Sequence, residues 1–129
     1  MIRSTGTLSY STDGPHKLIV EVDPGLVGLY RALVPPYVRL RRQRWPGHIT
    51  VVRDEPVQRL DRWGTRQGQE IEFEFDPIVA CDDTYYWLNV RCPMLAEIRR
   101  ELGLSDTSAL SRPPDGSDFF HITLGNLKT

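Results

Sequence analysis

Two of the three histidines in this chain occupy the same tripeptide, His-Ile-Thr, at residues 48–50 and 121–123. Side chains alternate between the two faces of a strand, so each tripeptide sends its histidine and threonine one way and its isoleucine the other. Each strand then has an apolar face that can be buried and a polar face that carries an imidazole and a hydroxyl. Two such polar faces meeting across a cleft would supply an acid, a base and two phosphate-binding hydroxyls. That set can break a phosphodiester without a metal.

A single histidine on a strand is more often a solvated or hydrogen-bonded bystander than a catalytic group. The repeat favours a catalytic role, because composition alone makes it improbable that two of only three histidines lie in identical tripeptides. We therefore predict that His48, Thr50, His121 and Thr123 form one catalytic site. The histidines are expected to act as acid and base, and the threonines to donate to the non-bridging phosphoryl oxygens. Which histidine is the acid stays open, since the two motifs are equivalent in sequence.

Residues 46–51 and 119–124 resemble the two His-x-Thr/Ser motifs of the 2H phosphoesterase superfamily. Its members include RNA 2′,3′-cyclic phosphodiesterases of the LigT type and compact phage enzymes of the anti-CBASS type, which destroy cyclic oligonucleotide immune signals. One departure is Gly47, where the family often has an apolar residue or a proline before the histidine.

This resemblance implies a metal-independent phosphodiesterase without a cofactor. Its substrate would be a nucleotide or short oligonucleotide that carries a 2′,3′-cyclic phosphate, or a cyclic oligonucleotide signal. The resemblance also implies a compact, two-lobed, pseudo-symmetric α+β fold. In that fold, antiparallel sheets form a central cleft and two main helices lie on the outside.

The composition predicts one globular domain over residues 1–129, since 40% of the residues are hydrophobic and the net charge is −1. No segment reaches the roughly 20 apolar residues of a membrane span, and we expect no signal peptide. Cys81 and Cys92 lack zinc-ligand spacing and predict reduced thiols in a cytoplasmic protein. We expect neither a membrane nor an obligate protein partner, and the oligomeric state stays open.

Residues 31–66 hold nine basic and three acidic side chains around the first motif. This local excess would steer a phosphate-bearing ligand, although a solvated basic loop is the alternative for any single arginine. Arg39, Arg41 and, after the second motif, Lys128 are the predicted phosphate contacts. Tyr10, in a stretch rich in Ser, Thr and Gly, is predicted to close over the ligand.

Two aromatic residues, Tyr85 and Trp87, share one face of a strand predicted over residues 84–92. The opposite face of that strand is predicted to join the core. An aromatic platform stacks a base with about 1–3 kcal/mol, so both residues are predicted substrate contacts. The alternative is that they pack beneath a helix.

Hydrophobic periodicity predicts the elements around the motifs. Residues 16–22 and 70–75 alternate as strands do. A helix is predicted after Asp23, which can cap it, with proline at its first position. Its core-facing stripe is predicted to be Leu26, Leu29, Tyr30, Leu33 and Val34. A second helix is predicted from Pro93 to the cap at Gly103, with one face formed by Met94, Leu95, Ile98 and Leu102.

The segment from residue 70 to residue 92 reads as a hairpin with a two-residue turn at Asp82 and Asp83. This turn would set Phe75 opposite Val90, Phe73 opposite Cys92 and Glu74 opposite Arg91, which sorts apolar and charged partners correctly. Residues 105–117 are predicted to form a loop. A helix followed by a motif strand occurs twice along the chain, in agreement with the fold that the resemblance implies.

A second hypothesis is a nucleotide-binding module of the same fold without turnover. The presence of all four motif residues argues against it. A plain interaction domain would leave the repeated tripeptide unexplained. The sequence therefore predicts a phosphodiesterase that uses paired histidines.

Overall fold

A computed structural model of the chain describes residues 1–106 and 120–128. The predicted loop at 105–117 lies outside the described residues from residue 107 onward, as does Phe119 of the second motif. The described elements are β1 (Ile2–Tyr10), β2 (Lys17–Val22), α1 (Pro24–Leu33), β3 (His48–Arg53), β4 (Glu70–Phe75), β5 (Ala80–Cys81), β6 (Tyr85–Arg91), α2 (Pro93–Glu101) and β7 (Phe120–Asn126).

Six of these strands close into a barrel. Their order is β4-β1-β2-β3-β7-β6, and β6 pairs back with β4 to complete the ring. The short β5 pairs with the first part of β6. All of these pairings are antiparallel. The predicted α+β class, with antiparallel strands and two helices, is confirmed, and the strands form one continuous sheet.

The interior of the barrel is filled from every second strand position. Leu18, Val20 and Val22 of β2 are buried, as the alternation predicts. β4 likewise buries its isoleucine and both of its phenylalanines. Because the period of a strand is two, a slip of one residue would turn the core face towards solvent. The alternation therefore fixes which side chains each strand presents on the outside of the barrel.

The predicted register between β4 and β6 is largely confirmed. Phe75 pairs with Val90, and Glu74 pairs with Arg91. The third predicted pair, Phe73 with Cys92, is not part of this ladder. β6 ends there because α2 begins at Pro93.

The turn of this hairpin lies one residue later than predicted. The backbone N–H of Asp82 donates to the carbonyl of Tyr85 at 3.0 Å. The Asp82 carboxylate accepts from the N–H groups of Thr84 and Tyr85 at 2.8 and 2.6 Å. These N–H groups lower the pKa of Asp82. Asp82 therefore caps the turn from its first position instead of occupying the centre of it.

The N-terminal stretch forms the nine-residue strand β1, which sequence analysis did not predict. It pairs with β2 on one side and β4 on the other. A Cβ at Gly6 would lie 2.5 Å from Cγ1 of Val20 and 2.6 Å from the carbonyl oxygen of Glu21. Glycine is thus required at this position, where the backbone of β1 lies close to Val20 and Glu21 of its paired strand β2. Small polar residues on the outer face obscured the alternation that buries Leu8 and Tyr10.

Helix α1 begins as predicted, because Asp23 accepts a hydrogen bond from the backbone N–H of Gly25 at 2.8 Å. Its buried face is narrower than predicted. Tyr30 is 7% exposed, whereas Leu29 and Leu33 are 58% and 64% exposed. The predicted stripe is therefore wrong at these two leucines, which point away from the sheet.

Helix α2 starts at the predicted proline, and Gly103 follows it with a φ of 82°, as a glycine cap does. Leu95 and Ile98 are buried, while Met94 is 36% exposed and does not join the core. The buried face also contains Arg99, whose exposure is 0%. A charged side chain thus lies where the sequence pattern predicted only apolar contacts.

Arg99 ties α2 to the strand that carries the first motif. Its Nη1 and Nη2 donate to the two carboxylate oxygens of Glu55, each at 2.7 Å. Nη1 also donates to the carbonyl of Val51, and Nε to the carbonyl of Ser105, again at 2.7 Å. Val51 directly follows the first tripeptide, so this network fixes the end of the motif in β3.

Candidate functional site

The two His-Ile-Thr tripeptides lie side by side on neighbouring strands. β3 and β7 are antiparallel, and the two central isoleucines pair with each other. One step along this register sets His48 across from Thr123 and Thr50 across from His121. Side chains directly opposite each other share a face, with Cβ atoms about 4.5–5.5 Å apart, and diagonal neighbours are about 7–8 Å apart. The structure thus brings the four predicted catalytic side chains together on one face.

A row of aliphatic residues on the opposite face holds these strands in register. Val20, Ile49, Ile122 and Leu88 pair in succession across four strands. Each of them is 0% exposed. Because side chains alternate, burying this row requires the flanking residues to face the outside of the barrel. The core beneath the motifs therefore orients all four polar side chains.

The ring of His48 is oriented by the turn that precedes it. Nδ1 lies 2.8 Å from the carbonyl oxygen of Pro46. A carbonyl only accepts, so Nδ1 carries a proton and Nε2 is left for a ligand. A Cβ at Gly47 would collide with Cγ2 of Val27 in α1. Glycine at position 47 thus lets α1 pack against the turn that orients His48.

His121 has more enclosed surroundings. Its ring centroid is 6.1 Å from that of Trp87, which pairs with Thr123 across β6 and β7. Trp87 is only 6% exposed, and its Nε1 donates to Oδ1 of Asn89 at 3.0 Å. Trp87 is therefore a packed wall of the site. The prediction that it forms an open stacking platform is wrong.

Burial lowers the pKa of His121. Its Nδ1 is buried and has no hydrogen-bond partner among the residues that the structure describes. Protonation would add a positive charge where burial has removed the water that would solvate it, so the neutral ring is favoured. His48 differs, because its Nδ1–H already has an acceptor and stays satisfied when Nε2 is protonated. The two imidazoles are equivalent in sequence but not in their surroundings.

Three predicted substrate contacts gather at one end of this face. Tyr85 pairs with Asn126 across β6 and β7, and Nζ of Lys128 lies 5.0 Å from the centroid of the Tyr85 ring. Arg41 pairs with Asn126 from the other side of β7 through backbone hydrogen bonds of 2.8 and 3.0 Å. These three residues extend the polar face beyond the second motif.

Two further predicted contacts are not brought to the motifs. Tyr10 points into the barrel with 6% exposure and packs edge-on against Trp63, with ring centroids 5.0 Å apart. The prediction that Tyr10 closes over the ligand is wrong, because β1 fixes it in the core. Arg39 follows a 3₁₀ turn (Pro36–Val38) with a φ of 56° and is exposed. Arg39 is not among the described residues that line the cavity next to Thr123.

That cavity was missed by sequence reasoning. It has a volume of about 540 Å³, lies between α1 and residues 42–47, and is bordered by Thr123, Arg31, Arg42 and Arg44. The local excess of arginine was the signal that could have found it. Which arginines share a wall depends on how the segment folds back on α1, and the sequence pattern does not reveal this.

The described residues contain no group of three or more His, Cys, Asp or Glu side chains that could hold a metal ion. Within the same part of the chain, neither helix has the length and apolar character needed to cross a membrane. Comparisons of the chain with protein-family models, with curated proteins and with solved structures gave no match. Any functional conclusion therefore depends on the geometry of the site.

Proposed function

We propose that this protein is a metal-independent phosphodiesterase of the 2H phosphoesterase type, which hydrolyses a phosphodiester of a nucleotide or short oligonucleotide. The observation that carries the proposal is the antiparallel pairing of the two tripeptides, which sets each histidine across from the threonine of the other motif. These four side chains supply an acid, a base and two hydrogen-bond donors around one phosphorus atom. A 2′,3′-cyclic phosphate and a cyclic oligonucleotide signal are the two candidate substrates.

The order of strand pairing supports a two-fold pseudo-symmetric fold. Exchanging β1 with β4, β2 with β6 and β3 with β7 leaves every neighbour relation in the barrel unchanged. Apart from β5, each half runs strand, strand, helix, motif strand along the chain. The axis of this exchange passes between β3 and β7, and so between the motifs. Displacement in line at phosphorus needs two groups on opposite sides, which such an axis provides.

We assign His121 as the general base and His48 as the general acid. The nucleophile, a water molecule, gives its proton to Nε2 of neutral His121, whose own hydrogen is on Nδ1, and forms a bond to phosphorus. The bond from phosphorus to the departing oxygen breaks, and that oxygen takes the proton from Nε2 of His48. Proton exchange with water then restores both rings. The assignment rests on the burial of His121 and the paired Nδ1–H of His48.

The hydroxyls of Thr50 and Thr123 act on the non-bridging oxygens. Charge grows on these oxygens as the nucleophile attacks, and donors fixed in advance stabilise it without reorganisation. Each threonine lies directly across from a histidine, so the donors flank the acid and the base. A neutral hydrogen bond of this kind contributes about 0.5–1.5 kcal/mol, which is less than either histidine.

The kcat/KM of the protein is expected to show a bell-shaped dependence on pH, with its acidic limb below pH 6.5. His121 must be neutral to accept a proton, and burial holds its pKa below the usual histidine value of 6.5. Activity is therefore lost only when the pH falls through that lowered pKa. A general acid and a general base that act together give the profile its two limbs. The measurement is kcat/KM as a function of pH.

The variant Trp87→Ala probes the cause of the acidic limb. Removing the indole admits water to His121, so the acidic limb is expected to move up towards pH 6.5. An acidic limb at or above pH 6.5 in the unaltered protein would contradict the lowered pKa on which the assignment of His121 as the base rests.

The proposed function is tested by incubating the protein, with a chelator present, with a 2′,3′-cyclic mononucleotide and with linear and cyclic oligonucleotides. Product formation is expected to survive chelation, because side chains provide the acid, the base and the phosphate donors. Mass spectrometry of the products identifies the bond cut and the oxygen that leaves. Tight nucleotide binding without product at any pH would instead favour the binding module without turnover.

A further inference from the structure

The arginine-lined cavity beside Thr123 is not used by the reaction described above. It opens between α1 and residues 42–47, and its volume of about 540 Å³ lies within the range of small-molecule sites. Thr123 and Gly47 contribute to its wall, so it is continuous with the face that carries the motifs. A ligand held at the motifs can extend directly into this cavity.

The charged side chains among the described residues that line the cavity are all positive. Arg31, Arg42 and Arg44 line it, and none of the described residues in its lining is an Asp or a Glu. Within the described residues, these three arginines form no salt bridge, whereas Arg66 and Arg99 are each paired with a glutamate. Burial, and then the neighbouring charge of Arg42, lower the pKa of Arg31. Uncompensated guanidinium groups next to a concave surface attract an anion.

Arg31 is a fixed part of this wall. Its Nη1 donates to the carbonyl of Leu124 at 2.5 Å and to that of Arg41 at 3.3 Å, and Nη2 donates to the carbonyl of Leu40 at 3.0 Å. A Cβ at Gly125 would lie 2.6 Å from Nη1, so glycine allows this approach. The positive charge at the back of the cavity is therefore positioned before any ligand arrives.

Trp45 adds an aromatic surface at the edge of the cavity. Trp45 is 57% exposed and is among the residues that line the cavity. The Nζ of Lys17 lies 5.3 Å, and the Cζ of Arg44 lies 5.4 Å, from the ring centroid. Aromatic side chains interleaved with cations bind single-stranded nucleic acids, because bases stack on the rings while the cations contact the phosphates.

We propose that this cavity binds a second phosphate of the substrate and the nucleoside attached to it, with Arg42 and Arg44 contacting the phosphate and Trp45 the base. The inference rests on the proposed phosphodiesterase function and narrows its substrate. The substrate is then an oligonucleotide, linear or cyclic, with a phosphate next to the one that is cut. A mononucleotide 2′,3′-cyclic phosphate would fill the motifs and leave the cavity unused.

The test measures the dissociation constants of three probes in the His48→Ala background, where turnover is expected to be about 10²–10⁴-fold slower. The probes are a linear trinucleotide, a cyclic trinucleotide and a mononucleotide 2′,3′-cyclic phosphate. The double variant Arg42→Gln with Arg44→Gln is expected to weaken binding of at least one trinucleotide by about 10-fold or more. The slope of log Kd against log salt concentration should become shallower by about 0.7, since both arginines contact one phosphate and each neutralised phosphate contributes about 0.7 for a single strand. Mononucleotide binding should not change.

The matched control is the double variant Arg59→Gln with Arg62→Gln. Both arginines are exposed and lie next to Asp61, away from the cavity, so the affinities for all three probes should be unchanged. The inference is overturned if no trinucleotide loses affinity in the cavity variant, or if the mononucleotide loses as much.

Turnover separates this inference from the proposed function. Trinucleotide binding that depends on Arg42 and Arg44, together with no product from any phosphodiester, keeps the cavity site and overturns the phosphodiesterase. If the mononucleotide is cleaved and trinucleotide binding does not depend on these arginines, the phosphodiesterase is kept and the cavity site is overturned.

Discussion

Replacing either His48 or His121 by alanine is expected to lower kcat/KM for the cleaved phosphodiester by about 10²–10⁴-fold, the contribution of one general acid or base. The two rings lie on the same face of β3 and β7, so each variant removes one side of the proton transfer. The kcat/KM of the double variant should be little lower than that of the less active single variant, because the effects of replacing groups that act as a unit are not additive. The measurement is initial rates over a range of substrate concentrations.

The third histidine provides the matched control. His16 packs edge-on against Trp63, with ring centroids 4.8 Å apart, and it precedes β2, outside either motif. His16→Ala should therefore keep its activity. Circular dichroism of each variant checks that the barrel remains folded, since the motifs lie above a fully buried row. Unchanged activity in either His48→Ala or His121→Ala would refute the paired acid–base mechanism.

Replacing Arg99 by methionine is expected to lower the free energy of unfolding by about 3–5 kcal/mol, as breaking a buried ion pair from one side does. Arg99 is fully buried, and the side chain of its partner Glu55 is only 19% exposed. Without the guanidinium, a largely buried carboxylate is left without this partner, and the carbonyl of Val51 loses a donor. The measurement is urea-induced unfolding, followed by circular dichroism.

The next residue along α2 gives a control of the same chemistry on the surface. Arg100 contacts Asp106 at 3.1 Å, but the two side chains are 58% and 63% exposed. Arg100→Met should therefore cost less than about 1 kcal/mol. Adding Glu55→Gln to Arg99→Met should restore part of the stability by removing the charge that was left behind. Equal losses in Arg99→Met and Arg100→Met would show that the buried network does not stabilise the fold.

Local patterns accounted for the parts of the fold that depend on neighbouring residues. Alternation predicted the buried faces of β2 and β4, and side-chain chemistry predicted the cap of α1 at Asp23. Alternation and the predicted turn together gave two of the cross-strand pairs of the hairpin, Phe75 with Val90 and Glu74 with Arg91. The same reasoning did not predict the strand β1, because its small polar residues give little difference in hydrophobicity between its two faces.

The sequence by itself determined which face of each motif strand carries the imidazole and the hydroxyl, because that depends only on the alternation of a strand. Only the tertiary structure decided that β3 and β7 are neighbours, and that their register sets each histidine across from a threonine. It also decided that Nδ1 of His121 is buried while Nδ1 of His48 is anchored, and that Arg42 and Arg44 share a wall with Thr123. Pairing, burial and cavity walls arise from segments far apart in the chain, and local spacing does not encode how those segments meet.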